Sequence, residues 1–416
     1  MINILIVHPT LSPPFGRGGV ETVLISYLKI LSKFVTQEKC KVDLLLLKEI
    51  TEDDLAIIPK NINTTFNFRG LSVFEEMFQI YCSIERNKGH YSISEKKFFS
   101  SWDDQITDYC NKNILNVINS GNHDIIINFD SHFDDFLKKY DITNQLPIIR
   151  WIHSDTNFTT WKNNPDLYKY LLNKHSYLVN ICNEMSEKCS QILPELGVDK
   201  PIVTLVNPID EKDIKEKLSI QEKEITENDK ILISENYILQ VARLFDYKDH
   251  FTMLDIYSQL KQKGIKEKLY IIGAGPNYSK LEERIKELGL EGDCLLLGRR
   301  DNPYIFMKHA KLFIHTSLSE GLPTVFLESM VCGTPVVAMD CPTGPRDILG
   351  NGEFGALIPL GNKTEFVNRV YALLNNDIER NTYIHRLPES IARFNIDRVS
   401  NELEKLLVRV SESVKQ

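Results

Sequence analysis

The chain has 416 residues, of which 42% are hydrophobic and 25% charged, with a formal net charge of −8. That balance belongs to a globular protein of two or three domains, and the acidic sum excludes the basic footprint expected of a nucleic-acid binder. Eight cysteines without a close C-x-x-C pair read as reduced core thiols of a cytoplasmic protein, not as a disulfide or zinc framework. Ile2 to Val7 is too short for a signal peptide, and no run approaches the ~20 apolar residues of a membrane span. The expected setting is the cytoplasm, with a peripheral position on a membrane face left open.

In chain order, Ile2–Val7 is continuously apolar, as a buried parallel strand is. A Pro- and Gly-rich stretch follows, holding Gly16, Gly18 and Gly19. Val20, Val23, Leu24, Tyr27, Leu28, Leu31 and Phe34 then recur at helical spacing and predict a helix over 19–34. With a second strand over 42–47, this is the doubly wound pattern, whose ligands sit at the carboxyl ends of strands. The glycines do not complete the dinucleotide fingerprint, because the third, properly spaced one is missing. Residues 71–102 mix Phe74, Met77, Phe78, Ile80, Tyr81 and Trp102 with Lys and Arg, either as core helices or as an amphipathic face touching lipid. Strands resume over 125–129, 147–152 and 177–181. Each ends in polar residues, among them Asp130, His153, Ser154, Asp155, Asn183 and Glu184, which mark one edge of the sheet as the cleft.

From Asn207 to Glu235 the composition becomes strongly charged and reads as a domain junction carrying a solvated helix or loop. A second α/β series starts afresh, with strands predicted over 237–242, 268–272, 294–297, 312–315, 335–338 and 356–358. Its second and third strands are joined by a helix expected to open on a Ser279–Glu282 capping box and to stop at Gly289. A last helix, near 396–410, is amphipathic through Ile396, Val399, Leu403, Leu406, Leu407 and Val410. Two α/β domains facing each other across a cleft follow from this order.

The chemistry concentrates in the second series. Arg243 and Lys248 follow the strand over 237–242, where fixed positive charge suits a diphosphate. Gly273 and Gly275 end a strand; a tight turn accounts for them without any ligand, and Pro276 argues against NAD. Arg299 ends another strand, where a base could meet exposed backbone. The most informative stretch is FIHTSLSEGLPTVFLESMVCGTPVV, residues 313–337. It predicts a strand, a polar turn, a helix from Pro323 or Thr324 to Val331, and a stop at Gly333. The helix start suits an anion, and Glu320 and Glu328 bracket it. Carboxylates beside an anion site fit a phosphate ester that also carries hydroxyls, which a nucleotide sugar does.

Taken together, GGVE (18–21), NPID (207–210), ARLFDYK (242–248), IIGAGP (271–276) and SEGLPTVFLESMVCGTPVV (319–337) make the chain resemble a glycosyltransferase of family 4. The resemblance implies the GT-B fold, with two Rossmann-like doubly wound parallel-sheet domains. It implies an acceptor-side domain over 1–206, a junction over 207–235, a donor domain over 236–390, and a helix over 391–416 crossing back to the first domain. Glu328 would hold the ribose hydroxyls, and Glu320 would meet the donor sugar near the reacting carbon. The backbone of Gly321, Leu322, Pro323 and Thr324 would bind the diphosphate, neutralised by Arg243 and Lys248. Gly19 would lie against phosphates or acceptor, His153 would face the donor sugar, and Arg299 would border the base.

The same resemblance implies transfer with retained anomeric configuration, with no metal and no cofactor. The lack of an Asp-x-Asp in the cleft-lining segments agrees with that. The implied partners are a UDP-linked hexose or N-acetylhexosamine donor and a glycan or lipid-linked oligosaccharide acceptor, with no nucleic acid. The turn Asp340–Arg346 is similar to that of bacterial surface-polysaccharide and lipopolysaccharide transferases, which would work at the inner membrane face. The alternatives are a UDP-sugar 2-epimerase on the same fold, or an inactive nucleotide-sugar-binding protein.

Overall fold

Strands apolar along their whole length must be covered on both faces, and helices alternating with them provide that cover. In the computed structural model, which describes residues 1–11, 18–47, 50–66, 108–143, 145–300 and 302–413, they form two parallel sheets. Gly16 and the mixed aromatic and basic segment over 71–102 lie outside the described residues.

The first sheet has seven strands in the order β3-β2-β1-β4-β5-β6-β7. These are β1 (Ile2–His8), β2 (Cys40–Leu46), β3 (Asn63–Phe66), β4 (Ile125–Asn128), β5 (Ile148–Ile152), β6 (Tyr177–Asn180) and β7 (Ile202–Thr204). The second has six, β10-β9-β8-β11-β12-β13. They are β8 (Tyr237–Val241), β9 (Lys268–Ile272), β10 (Cys294–Leu296), β11 (Leu312–His315), β12 (Val336–Asp340) and β13 (Ala356–Pro359). In each sheet the strand order reverses once, between β1 and β4 and between β8 and β11. Such reversals open a crevice at the carboxyl ends of the two central strands, so the fold has two crevices, one per sheet.

The first predicted helix is Gly19–Thr36, and its buried face carries Val23, Leu24, Tyr27, Leu28, Leu31 and Phe34 as the spacing demanded. Val20 is only partly buried. The last helix is Ile396–Ser413, with all six predicted apolar positions buried. Lys33 and Lys39 of the first sheet's side pair with Asp397 and Glu404, so this helix lies on the first domain. The charged junction holds two short helices, Glu211–Lys223 and Glu227–Ser234, capped by the side chains of Asp210 and Thr226. Their exposed faces explain the composition, since Ile214 and Asp229 are their only buried residues.

The capping box expected at Ser279 does not form. Tyr278 N–H bonds to the Gly275 carbonyl, so the helix Tyr278–Glu287 begins one residue before Ser279. Asn277 holds the cap position and turns its amide to Asp246 instead.

The two domains are joined where the chain crosses between them. Ile209 N–H bonds to the Phe394 carbonyl at 2.8 Å, and Ile396 N–H bonds to the Ile209 carbonyl at 3.1 Å. One hydrophobic cluster runs through both inner faces, from Ile4 and Trp151 to Phe313 and Phe326. The outer faces of the two sheets have clusters of their own.

Candidate active site

The β8/β11 crevice gathers the charged residues of the second domain. Asp249, in the left-handed region at φ 46°, caps the helix His250–Gln262 and turns the chain just after Lys248. Lys248 Nζ thereby reaches Glu320 Oε1 at 2.5 Å. His315, the last residue of β11, brings its Nε2 to the same oxygen at 2.8 Å. Burial alone pushes the Glu320 carboxyl up, but the Lys248 charge and the His315 hydrogen bond outweigh it and hold the group down at about 2. Glu320 is therefore an anion throughout the neutral range, although only 9% of it is exposed.

The turn carrying Glu320 is fixed from below. Thr343 donates its hydroxyl to the Glu320 carbonyl at 2.5 Å. Gly344, at φ 90°, packs so closely that a Cβ there would meet the Gly321 carbonyl at 2.3 Å and the Pro323 ring at 2.8 Å. The helix Thr324–Val331 then starts from Pro323, as predicted. Among the described residues the amides of Gly321, Leu322 and Thr324 have no protein acceptor, which is the usual state of first-turn donors. Leu322 itself is buried in the shared core.

Glu328, one turn further, is a different carboxylate. It is half-buried, no protein donor reaches it among the described residues, and burial pushes it up to about 7 against a weak opposing pull from Lys217. Arg243 is exposed, bonds to the Tyr247 hydroxyl at 2.9 Å, and lies over Phe245. Its guanidinium also reaches the first domain, since a Cβ on Gly18 would meet Arg243 Nη1 at 3.1 Å. Gly19 beside it is exposed, with no described atom within 4 Å of where a Cβ would stand. Glu21 of the same motif turns back to accept the Gly18 N–H at 2.8 Å.

Gly273 and Gly275 do the packing work a tight turn requires. A Cβ on Gly273 would strike the Ala242 carbonyl at 1.9 Å, and one on Gly275 the Leu244 carbonyl at 2.5 Å. These glycines thus seat the segment that carries Arg243. Arg299 is exposed beyond β10, after Gly298, whose carbonyl accepts the Gly273 N–H.

The first domain closes on this site directly. A Cβ on Gly321 would stand 1.9 Å from the His153 carbonyl oxygen, so the two backbones touch only because Gly321 lacks one. The His153 ring donates through Nε2 to the Phe129 carbonyl at 2.8 Å and packs against the Phe129 ring. Burial depresses its pKa to about 4, leaving a neutral imidazole.

Four interdomain hydrogen bonds were not foreseen in the sequence. Ser319 donates to Asp155 at 3.0 Å. Asp347 accepts the Asn183 and Glu184 N–H groups at 2.7 and 3.3 Å, while Glu184 accepts the Gly344 N–H at 2.8 Å. His315 was missed as well, although it stands five residues before Glu320 at a strand end; the spacing was the available signal. The structure thus brings Lys248 and Glu320 together at the head of the Thr324–Val331 helix, sets the His153 backbone against Gly321, and places Arg243 beside the Gly18–Gly19 turn of the first domain.

Two facing doubly wound domains with this cleft define the GT-B fold. The Staphylococcus aureus TarM structure, solved as a variant with fondaparinux, α-GlcNAc-glycerol and UDP, superposes with a TM-score of 0.71 at 14% identity, covering 98% of this chain and all of that one. Residues 221–389 match the family model described as glycosyl transferases group 1.

Among curated relatives, the N-acetylgalactosamine-N,N'-diacetylbacillosaminyl-diphospho-undecaprenol 4-alpha-N-acetylgalactosaminyltransferase of Campylobacter jejuni is 32% identical over 178 residues, 43% of this chain and 48% of that protein. The lipopolysaccharide 1,6-galactosyltransferase of Salmonella typhimurium is 29% identical over 161 residues, 38% of this chain and 44% of that protein. The chain spans about half the length of these curated relatives. No described helix is long and apolar enough to cross a membrane.

Proposed function

We propose that the protein transfers a hexose or N-acetylhexosamine from a UDP-sugar to a glycan or lipid-linked acceptor in bacterial surface-polysaccharide or lipopolysaccharide synthesis. The observation that carries this reading is the Glu320 carboxylate, held ionised by Lys248 and His315 at the start of a helix that the other domain touches through His153. The relatives named above act on such acceptors by their names, and TarM was solved with UDP. None of them is an epimerase, and no observation favours that alternative.

In this reading the diphosphate lies at the first amides of Thr324–Val331, with Arg243 and Lys248 taking up the negative charge as the bond to the sugar breaks. Glu328 accepts the ribose hydroxyls. Glu320 and the neutral His153 hold the sugar from opposite domains. The leaving diphosphate takes the acceptor's proton on the face it departs from, which retains the anomeric configuration and needs no metal. Work beside the cytoplasmic membrane face, where lipid-linked acceptors are found, belongs to the same proposal.

Thermal shift against UDP-glucose, UDP-galactose, UDP-GlcNAc, UDP-GalNAc and the corresponding GDP-sugars tests it, because a ligand bound only by the folded state raises the melting temperature by mass action. The expected result is stabilisation by one or two UDP-sugars together with slow UDP release. No shift with any of them would overturn the assignment.

A further inference from the structure

The Glu320 carboxylate receives two hydrogen bonds from described residues, and both fall on the same oxygen. Lys248 Nζ and His315 Nε2 reach Oε1 at 2.5 and 2.8 Å. Oε2 has no protein partner among the described residues, yet it is not one of the fully buried unpartnered atoms, so it keeps some exposure to solvent. The carboxylate is thus anchored by one oxygen and offers the other.

The two anchors differ in kind. Lys248 is a cation on a flexible four-carbon stem, largely but not fully buried, that, on the reading proposed above, is also needed at the diphosphate. When it turns to the phosphates, its hold on Glu320 weakens. His315 cannot turn away. It is 1% exposed, stands at the end of a central strand, and its ring lies between Phe313 at 6.2 Å and Phe326 at 5.1 Å. Burial drives its pKa down, so the ring is neutral; because it faces a carboxylate, its proton sits on Nε2. Among the described residues the bare Nδ1 is buried without a partner. A buried ring nitrogen left without a hydrogen bond is a cost, and it is retained where the other nitrogen is required.

We infer that His315 is a positioning residue for sugar transfer: its Nε2–H fixes one Glu320 oxygen and thereby presents the other to the donor sugar's hydroxyls while Lys248 serves the diphosphate. This rests on the transferase reading, and it adds a residue that touches no substrate itself. Holding a first contact in place through a rigid neighbour is how a site keeps the geometry a reaction needs, and a displacement of about 1 Å can cost about 100-fold in rate.

The test compares His315→Phe, which fills the space without a donor, with His315→Gln, whose amide can reach Glu320, and His315→Asn, whose amide is too short. UDP binding is followed by calorimetry, and turnover by UDP release from whichever UDP-sugar the wild type uses. The expected result is unchanged UDP affinity in all three, a fall in kcat of about 10- to 100-fold for Phe and Asn with little change in donor KM, and recovery in Gln. The acid limb of kcat in Phe and Asn should also move up toward the ordinary carboxylate range, because Glu320 has lost one donor.

Near-normal kcat in folded His315→Phe would overturn the inference, as would equal loss in Gln and Asn, which would mean packing and not the hydrogen bond. Should His315→Phe not fold, the contrast between Gln and Asn decides alone. A wild type that neither binds UDP nor releases it from any donor overturns the transferase reading first, and the inference falls with it.

Discussion

Glu320 and Glu328 are the same residue type, eight positions apart around one helix start, and the fold gives them opposite electrostatics. Glu320 is the more enclosed, yet it stays ionised down to about 2 because Lys248 and His315 meet it. Glu328 is more open, yet burial pushes it up to about 7, and no donor among the described residues meets it. Burial acts on both in the same direction, and the partners decide the outcome. One carboxylate is finished by the protein. The other, on the proposed reading, is met by the two hydroxyls of a ribose.

The strongest way to break this contrast is to remove the charge of the finished carboxylate. Glu320→Gln should keep UDP binding and lose at least about 100-fold in turnover, the scale of losing one preorganised polar contact at a reacting centre. It should also lower stability, by up to about 3 kcal/mol, because Lys248 is left largely buried without its counter-charge. Turnover is therefore to be measured well below the variant's melting temperature. Near-normal turnover there would remove Glu320 from the reaction and leave the Lys248 pair as a structural one.

How far this site could be read in advance follows the same division. The helix start, the bracketing glutamates and the cations after β8 are local, set by prolines, glycines and strand ends within a few residues, and they are where the sequence placed them. The alternating apolar strands and the six-position face of the last helix were legible for the same reason. What could not be read joins residues far apart in sequence. The Asp347 bonds to Asn183 and Glu184 span over 160 residues, and no periodicity announces them. Burial also hides meaning: His315 sits in an apolar strand, where a histidine reads as core until its partner is seen. The Ser279 cap failed because a tertiary bond, Asn277 to Asp246, settled a choice that local propensity leaves open.

Two glycines carry the comparison across the cleft. Gly321 touches the His153 carbonyl, whereas no described atom stands in front of Gly19. Gly321→Ala should force the two backbones apart, lowering turnover by at least about tenfold, with a wider domain arrangement visible in small-angle scattering. Gly19→Ala should leave scattering and melting temperature unchanged. A loss of donor or acceptor affinity in Gly19→Ala would then report a ligand at that position, since no described protein atom is there to be disturbed. If Gly321→Ala behaves like wild type, the contact at His153 does not set the working separation of the domains.

The smallest effect belongs to Glu328 and appears as a dependence on pH. Its folded-state pKa of about 7 lies above the ordinary carboxylate value, so between roughly 4.5 and 7 the folded protein holds a proton that the unfolded chain has lost. This group's contribution to stability therefore falls as pH rises through that window and stays unfavourable above it. Glu328→Gln should remove the slope and melt slightly higher than wild type at pH 8. Nucleotide binding runs the other way, because ribose hydroxyls need the ionised carboxylate as acceptor. UDP affinity in the wild type should weaken below about pH 7, approaching tenfold per pH unit, and in Glu328→Gln it should be weaker throughout and flat. Calorimetric titration of UDP from pH 5.5 to 8.5 separates the two. A wild-type affinity that does not change over that range would mean that Glu328 does not bind the ribose in its ionised form.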